Sequence, residues 1–216
     1  MINKRADIFY RSLCREGEAV LNLANSFDEE VIYRVCELLM LCKDRNTGLF
    51  VTGVGKSGNV AAKMASTFTS TGIPATYLCP LEAAHGGLGI LQKFDMVIAI
   101  SKSGETSELL SMLDRMKELD ITLILITCNK ESTLSKFSNE VIVYRAEECC
   151  DTGFIPTTSS TVALAIGDAL AMACMKSADF KVEDFAKFHP GGSLGEAVRD
   201  SIGKIEFNCT SNRNEG

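Results

Sequence analysis

The chain has 216 residues, 46% hydrophobic and 23% charged, which describes a single soluble globular unit able to bury a core, with no room for a second catalytic domain. A formal net charge of −6 without any run of Lys or Arg excludes nucleic acid and anionic membrane as partners, and the lack of Trp argues against a base-stacking surface. An anionic ligand therefore needs local attraction rather than a global field.

Apolar residues Ile8, Leu13, Val20, Leu23 and Phe27 recur at helical spacing, and Asp28 is placed to cap a second helix carrying Val31, Val35, Leu38, Leu39 and Leu41. These N-terminal helices occupy residues 1–45. Short β-rich runs then alternate with longer helical ones. Strands are expected at 49–52, 75–79, 96–100, 123–127 and 141–144, and helices at 59–71, 107–119 and 158–177. Runs such as MVIAI and LILIT are apolar without alternation, as parallel strands covered on both faces require. The order implies an α/β sandwich over residues 46–200, with right-handed crossovers and ligands at the carboxyl ends of the strands. Residues 201–216 are polar and rich in Asn and Gly, and read as a flexible tail.

Nine Cys are scattered without a C-x-x-C pair, so structural zinc is not expected and reduced thiols are. Charges interrupt the N-terminal segment, which lacks the apolar stretch of a signal peptide, and no apolar run reaches membrane-spanning length. A cytoplasmic location follows as the expectation.

After the first strand the sequence VTGVGKSG, Val51 to Gly58, contains pieces of two phosphate fingerprints. A P-loop needs glycine where Phe50 stands. A dinucleotide turn needs an acid at the end of the second strand, but the chain reads TYLCP there and the nearest acid, Glu82, lies beyond Pro80. What survives is a glycine-rich turn that brings Ser57 to the exposed N–H groups of a helix start, either as an anion site or simply as a tight turn. The third strand repeats the arrangement in AISKSGETSE, with Ser101, Ser103, Gly104, Thr106 and Ser107, where one hydroxyl would suffice for a cap. PTTSST at 156–161 opens the long helix with a further excess of hydroxyls. Three such loops suit one small phosphorylated ligand.

Two His residues complete the inventory, His85 in LEAAHGGLG and His189 in FHPGGSLG, each beside glycine in a stretch without core periodicity. Glu82, Glu105, Glu108, Glu147 and Glu148 lie near the same loops, as acid/base candidates or as solvated charges.

The stretches GVGKSGN, EAAHGGLGIL, ISKSGETSEL, PTTSSTVALAIGDALA and FHPGGSLG, in this order over residues 20–197, together resemble the sugar isomerase (SIS) domain of the arabinose 5-phosphate isomerase family, enzymes that make the precursor of Kdo. The resemblance implies a three-layer, flavodoxin-like α/β sandwich with a five-stranded parallel sheet, and homotetramers with active sites at subunit interfaces. It implies that Gly55, Ser57, Ser101, Ser103 and Thr106 hold the substrate phosphate, and that Lys56, His85, Glu108, Glu148 and His189 form the catalytic set. The implied reaction interconverts ribulose 5-phosphate and arabinose 5-phosphate through an enediolate. His189 would open the ring, Glu108 or Glu148 would act as base at carbon, and Lys56 would stabilise the enediolate oxygen. No cofactor and no metal are required, although His85 could bind zinc incidentally.

Three positions depart from the family pattern: Gly87 for Asp, Leu81 for Gly, and Lys102 for Asn. The paired CBS modules that often follow the domain are absent from this sequence, so nucleotide-dependent control through them is not expected. Isomerisation of another phosphosugar, such as a 6-phospho-3-hexulose, and non-catalytic sensing of a phosphosugar stay open as alternatives.

Overall fold

A computed structural model of the chain describes residues 4–178, 180–188, 191–193, 195–198 and 200. Helices α1 (Lys4–Ala24) and α2 (Glu29–Arg45) meet at Asp28, whose carboxylate accepts from the N–H groups of Glu30 and Val31, both at 3.1 Å. That bond satisfies amides the helix cannot pair internally and fixes the start read from the sequence.

Strands β1 (Leu49–Gly53), β2 (Ala75–Leu78), β3 (Met96–Ile100), β4 (Thr122–Thr127) and β5 (Glu140–Val143) pair in parallel in the order β2-β1-β3-β4-β5. Between and after them come α3 (Lys56–Ser70), α4 (Pro80–Ala83), a 3-10 turn (Gly87–Ile90), α5 (Ser107–Leu110), α6 (Leu113–Glu118), α7 (Thr133–Phe137), α8 (Thr158–Ser177) and α9 (Val182–Phe188). The single helix expected over 107–119 is divided into α5 and α6. Met112 N–H bonds three residues back to Leu109, and the Ser111 hydroxyl takes the Glu108 carbonyl, which tightens the backbone between them.

Alternate strand residues enter opposite layers. Leu49, Val51, Ile98, Ile100, Ile124 and Ile126 pack with α2, α3 and α8, whereas Phe50, Val97, Ala99, Leu123 and Leu125 pack with α4 to α7. Covering both faces explains why the strands read as unbroken apolar runs. Helix α8 is long and apolar enough to cross a membrane by length and composition, but Val162, Ala163, Ile166, Leu170 and Ala171 are core residues of the sandwich.

The strand order reverses direction between β1 and β3, so α3 leaves toward one layer and α5 toward the other, opening a crevice at the strand ends. In the sheet register Gly53 faces Ile100, Ile100 faces Ile126, and Thr127 faces Val143, so the strands finish side by side. At the opposite end Asp95 ties the sheet together, its carboxylate accepting from Gly48 N–H and Gln92 N–H, each at 2.7 Å.

Candidate active site

The turn after β1 is built by close approach. Gly55 takes φ 61° as the cap of α3, a left-handed value that glycine adopts without a steric penalty. At Gly58 a Cβ would come within 2.8 Å of both the Gly53 carbonyl oxygen and the Tyr77 hydroxyl. Only a bare Cα lets α3 begin so near the strand end. The first helical bond runs from Asn59 N–H to the Gly55 carbonyl at 3.1 Å, so the amides of Lys56, Ser57 and Gly58 precede the ladder and face the start of a 15-residue helix. Unpaired N–H groups and the helix dipole together favour an anion at this point.

After β3 the chain makes a tight hydroxyl-rich turn. Ser101 is buried, its Oγ 2.8 Å from Thr106 Oγ1 and accepting from Gly104 N–H at 3.0 Å. Gly104 has φ 68°, and a Cβ there would overlap Ser132. Ser103 is exposed and accepts from Glu105 N–H at 3.1 Å. Between these two serines stands Lys102. Its carbonyl accepts from Cys128 N–H and the Thr127 hydroxyl, at 3.0 and 3.2 Å, which anchors the turn on the end of β4.

Lys102 Nζ donates to Glu148 Oε1 at 2.5 Å, and the Glu148 side chain is 1% exposed. The same carboxylate accepts from Thr157 N–H and Ser159 N–H at 2.8 and 3.3 Å, from the Ser159 hydroxyl at 2.6 Å and from the Thr157 hydroxyl at 3.2 Å. Glu148 thus occupies the anion position at the start of α8. Burial pushes its pKa upward, but the Lys102 ammonium, the Ser159 hydroxyl and the two N–H groups outweigh that and hold it at about 2. At neutral pH it is an ionised carboxylate held in place by these partners.

A cleft of about 100 Å³ joins these parts, lined by Lys56 and Ser57 from the first turn, Lys102 from the second, Tyr144 beyond β5, and Ser159 and Ser160 from α8. Of the residues singled out in the sequence, the structure brings Lys56, Ser57 and, through Lys102 and Ser159, Glu148 to one place. Ser101, Ser103 and Thr106 form the adjoining turn. Glu108 does not line the cleft; hydrogen bonds from its own N–H and from the Ser107 hydroxyl hold its carboxyl below the ordinary value. His85 is exposed after α4 and does not line the cleft. Among the described residues no group of three or more His, Cys, Asp or Glu side chains gathers to hold a metal ion. His189 and the tail at 201–216 lie outside the described residues.

The hydroxyls of 156–161, of which Ser159 and Ser160 line the cleft, also have partners within the chain. Thr157 and Ser159 bond to Glu148, Thr158 lies 3.4 Å from the Cys149 thiol, and Thr161 donates to Glu16 at 2.6 Å. They organise the carboxylate and tie α1 to α8. Sequence reasoning read Lys102 only as a departure from a pattern. Its pairing with Glu148 spans 46 positions, and the one available signal was a basic residue placed between two serines of the turn.

Residues 42–173 match the SIS domain family. The chain belongs to it. The arabinose 5-phosphate isomerase KpsF of Escherichia coli is 40% identical over 196 residues, covering 90% of this chain and 61% of that protein. The arabinose 5-phosphate isomerase KdsD of Francisella tularensis is 42% identical over 192 residues, covering 88% and 58%. This SIS domain chain therefore spans about three fifths of the length of the curated relatives it matches. Among solved structures, the c3406 protein of E. coli CFT073 in complex with arabinose 5-phosphate superposes with a TM-score of 0.81 at 34% identity, covering 88% of this chain and 100% of that one. The span matched to the SIS domain contains the β1 turn, the β3 turn and Glu148, the parts that meet at the crevice.

Proposed function

We propose that the protein is an aldose-ketose isomerase that interconverts D-ribulose 5-phosphate and D-arabinose 5-phosphate, a step that supplies Kdo synthesis. The observation that carries this reading is the likeness, over 88% of the chain, to a protein solved with arabinose 5-phosphate, combined with a cleft in which cations, hydroxyls and one ionised carboxylate converge. The phosphate sits at the start of α3, on Gly55 and Ser57, and against Ser101, Ser103 and Thr106. This leaves the sugar chain extending toward Glu148.

Ribulose 5-phosphate, with its C5 oxygen esterified, is open-chain, so Glu148 takes the proton from C1 of the ketose directly, and His189 serves the furanose ring of arabinose 5-phosphate. The resulting enediolate is reprotonated at C2, and the C1 hydroxyl proton passes to O2, so the product is the aldose with no net change in atoms or electrons. Glu148 is the better carbon base of the two carboxylates because its bonding partners Lys102 and Ser159 line the cleft, whereas Glu108 bonds to its neighbour Ser107. Lys56 stabilises the enediolate oxygen. The reaction draws on proton transfer alone and needs no added cofactor or metal.

The proposed assembly is a cytoplasmic homotetramer whose copies complete one another's sites. Exposed Ile8, Phe9, Tyr10 and Leu13 on α1, and a His85 that stands away from its own cleft, support it. The free thiols found among the described residues suit a reducing compartment.

Purified protein incubated with a panel of pentose and hexose phosphates, without added metal, tests the activity. Arabinose 5-phosphate from ribulose 5-phosphate is the expected product. Turnover of a 6-phospho-3-hexulose alone, or binding without turnover, would replace this reading with another isomerase or with a sensor.

A further inference from the structure

Lys102 is placed unlike an ordinary surface lysine. It sits in the turn between Ser101 and Ser103, its carbonyl is pinned on β4, its side chain lines the cleft, and its ammonium donates to the Oε1 of a carboxylate that is 1% exposed. We infer that Lys102 is a positioning residue for the isomerase reaction: paired with Glu148, which is buried behind the cleft wall that Lys102 and Ser159 form, it keeps that carboxylate ionised and in place as the proposed base at carbon. This inference rests on the isomerase reading, and it assigns to a side chain outside the catalytic set the task of preparing that base.

The neighbours of Glu148 support the assignment by elimination. From α1, Arg15 donates to the Glu148 main-chain carbonyl rather than to the carboxylate, and Glu16 takes Thr161. From the end of β4 comes Cys128 and from beyond β5 comes Tyr144. Burial raises the pKa of both, so both stay neutral through the neutral range. Cys149, next in the chain, turns its thiol toward the Ser12 carbonyl, Glu16 and Thr158. Glu147 is exposed, and Lys56 lines the same cleft without an ion pair to Glu148 among the described contacts. Among the described residues, Lys102 therefore supplies the full charge in contact with the carboxylate, while Thr157 and Ser159 supply only dipoles. A buried carboxylate stripped of its cation shifts toward the protonated form, in which it is no base at all.

The test follows the acid limb of kcat/KM, which reports ionisation in the free enzyme, in wild type, Lys102→Met, Lys102→Gln and Lys102→Arg. The acid limb is expected to move to higher pH by at least about one unit in the Met and Gln variants, and to stay low with Arg, which restores the charge. Loss of activity in Lys102→Met is then expected to be severalfold larger at acid pH than at about pH 8, where an unpaired Glu148 is ionised again. In parallel, ¹³C NMR of carboxyl-labelled protein, with the Glu148 signal assigned by its loss in Glu148→Gln, follows the titration directly. No step is expected above about pH 4 in wild type, and a step above it is expected in Lys102→Met. If wild type turns over a pentose phosphate but neither the limb nor the titration moves, the role of Lys102 is overturned and the isomerase reading stands. If no sugar phosphate is turned over, the isomerase reading falls, and an unmoved carboxyl signal would remove the Lys102 assignment as well.

Discussion

The Arg15 guanidinium donates to the main-chain carbonyl of Glu148 at 2.9 Å, across 133 positions of sequence. Helix α1, which has no buried residue of its own, is in this way fastened to the segment that carries the ionised carboxylate. The Glu16 bond to Thr161 at 2.6 Å repeats the fastening one residue along. Arg15→Ala is expected to loosen residues 147–157 and to lower kcat/KM about tenfold, the worth of one charge-assisted bond, with a small change in thermal midpoint. Steady-state kinetics beside a melting curve separates the two effects.

Glu148→Gln removes the carboxylate proposed as base and keeps the shape. Isomerisation is expected to fall by at least about 100-fold, the lower range for loss of a general base. The same variant reports on stability through pH. The folded-state pKa of about 2 lies below the ordinary 4.5, so ionised Glu148 contributes stability that is fully present above about pH 5 and is lost as pH falls through 4.5 toward 2. The stability gap between wild type and variant is expected to shrink by about 3 kcal/mol over that window, measured by denaturant unfolding. A gap independent of pH would show that Lys102, Thr157 and Ser159 do not depress this carboxyl.

Gly104 combines φ 68° with contact against Ser132, and its N–H is held by Ser101. Gly104→Ala is expected to cost about 2–4 kcal/mol through strain and overlap and to raise KM for sugar phosphate, because Ser101, Ser103 and Thr106 share that turn. Binding of inorganic phosphate and a thermal melt check the two parts.

Asp95 supplies the contrast, since it braces the amino ends of β1 and β3, far from the crevice at their carboxyl ends. Asp95→Ala leaves the N–H groups of Gly48 and Gln92 without their acceptor and is expected to destabilise by about 2–4 kcal/mol. The kcat of the fraction that remains folded is expected to stay near that of wild type. A large drop in kcat would mean that the two ends of the sheet are coupled.

What the sequence discloses follows from physics that acts locally. MVIAI and LILIT announce buried parallel strands because each residue meets one apolar layer or the other, and the boundaries fall within one residue of the observed strands. Asp28 marks a helix start because its carboxylate has amides two and three residues away to bind. The glycine turn at 53–58 is equally local. The Lys102–Glu148 pair is not, because only the parallel packing of β3, β4 and β5 brings the two loops together. For the same reason the hydroxyls at 156–161 looked like ligands for an external anion, whereas Thr157 and Ser159 bind an anion the chain itself provides. The break between α5 and α6 was hidden because Leu109, Met112, Leu113 and Met116 keep a helical spacing across it.

The central claim is tested most directly by incubating the protein with ribulose 5-phosphate in D₂O and following the sugar by ¹H NMR. The account predicts arabinose 5-phosphate, with deuterium at C2 wherever the abstracted proton exchanges with solvent before it is returned, formed at least about 100-fold more slowly by Glu148→Gln than by wild type. Binding of the ketose with no aldose formed, or an aldose formed equally well by the variant, would contradict it.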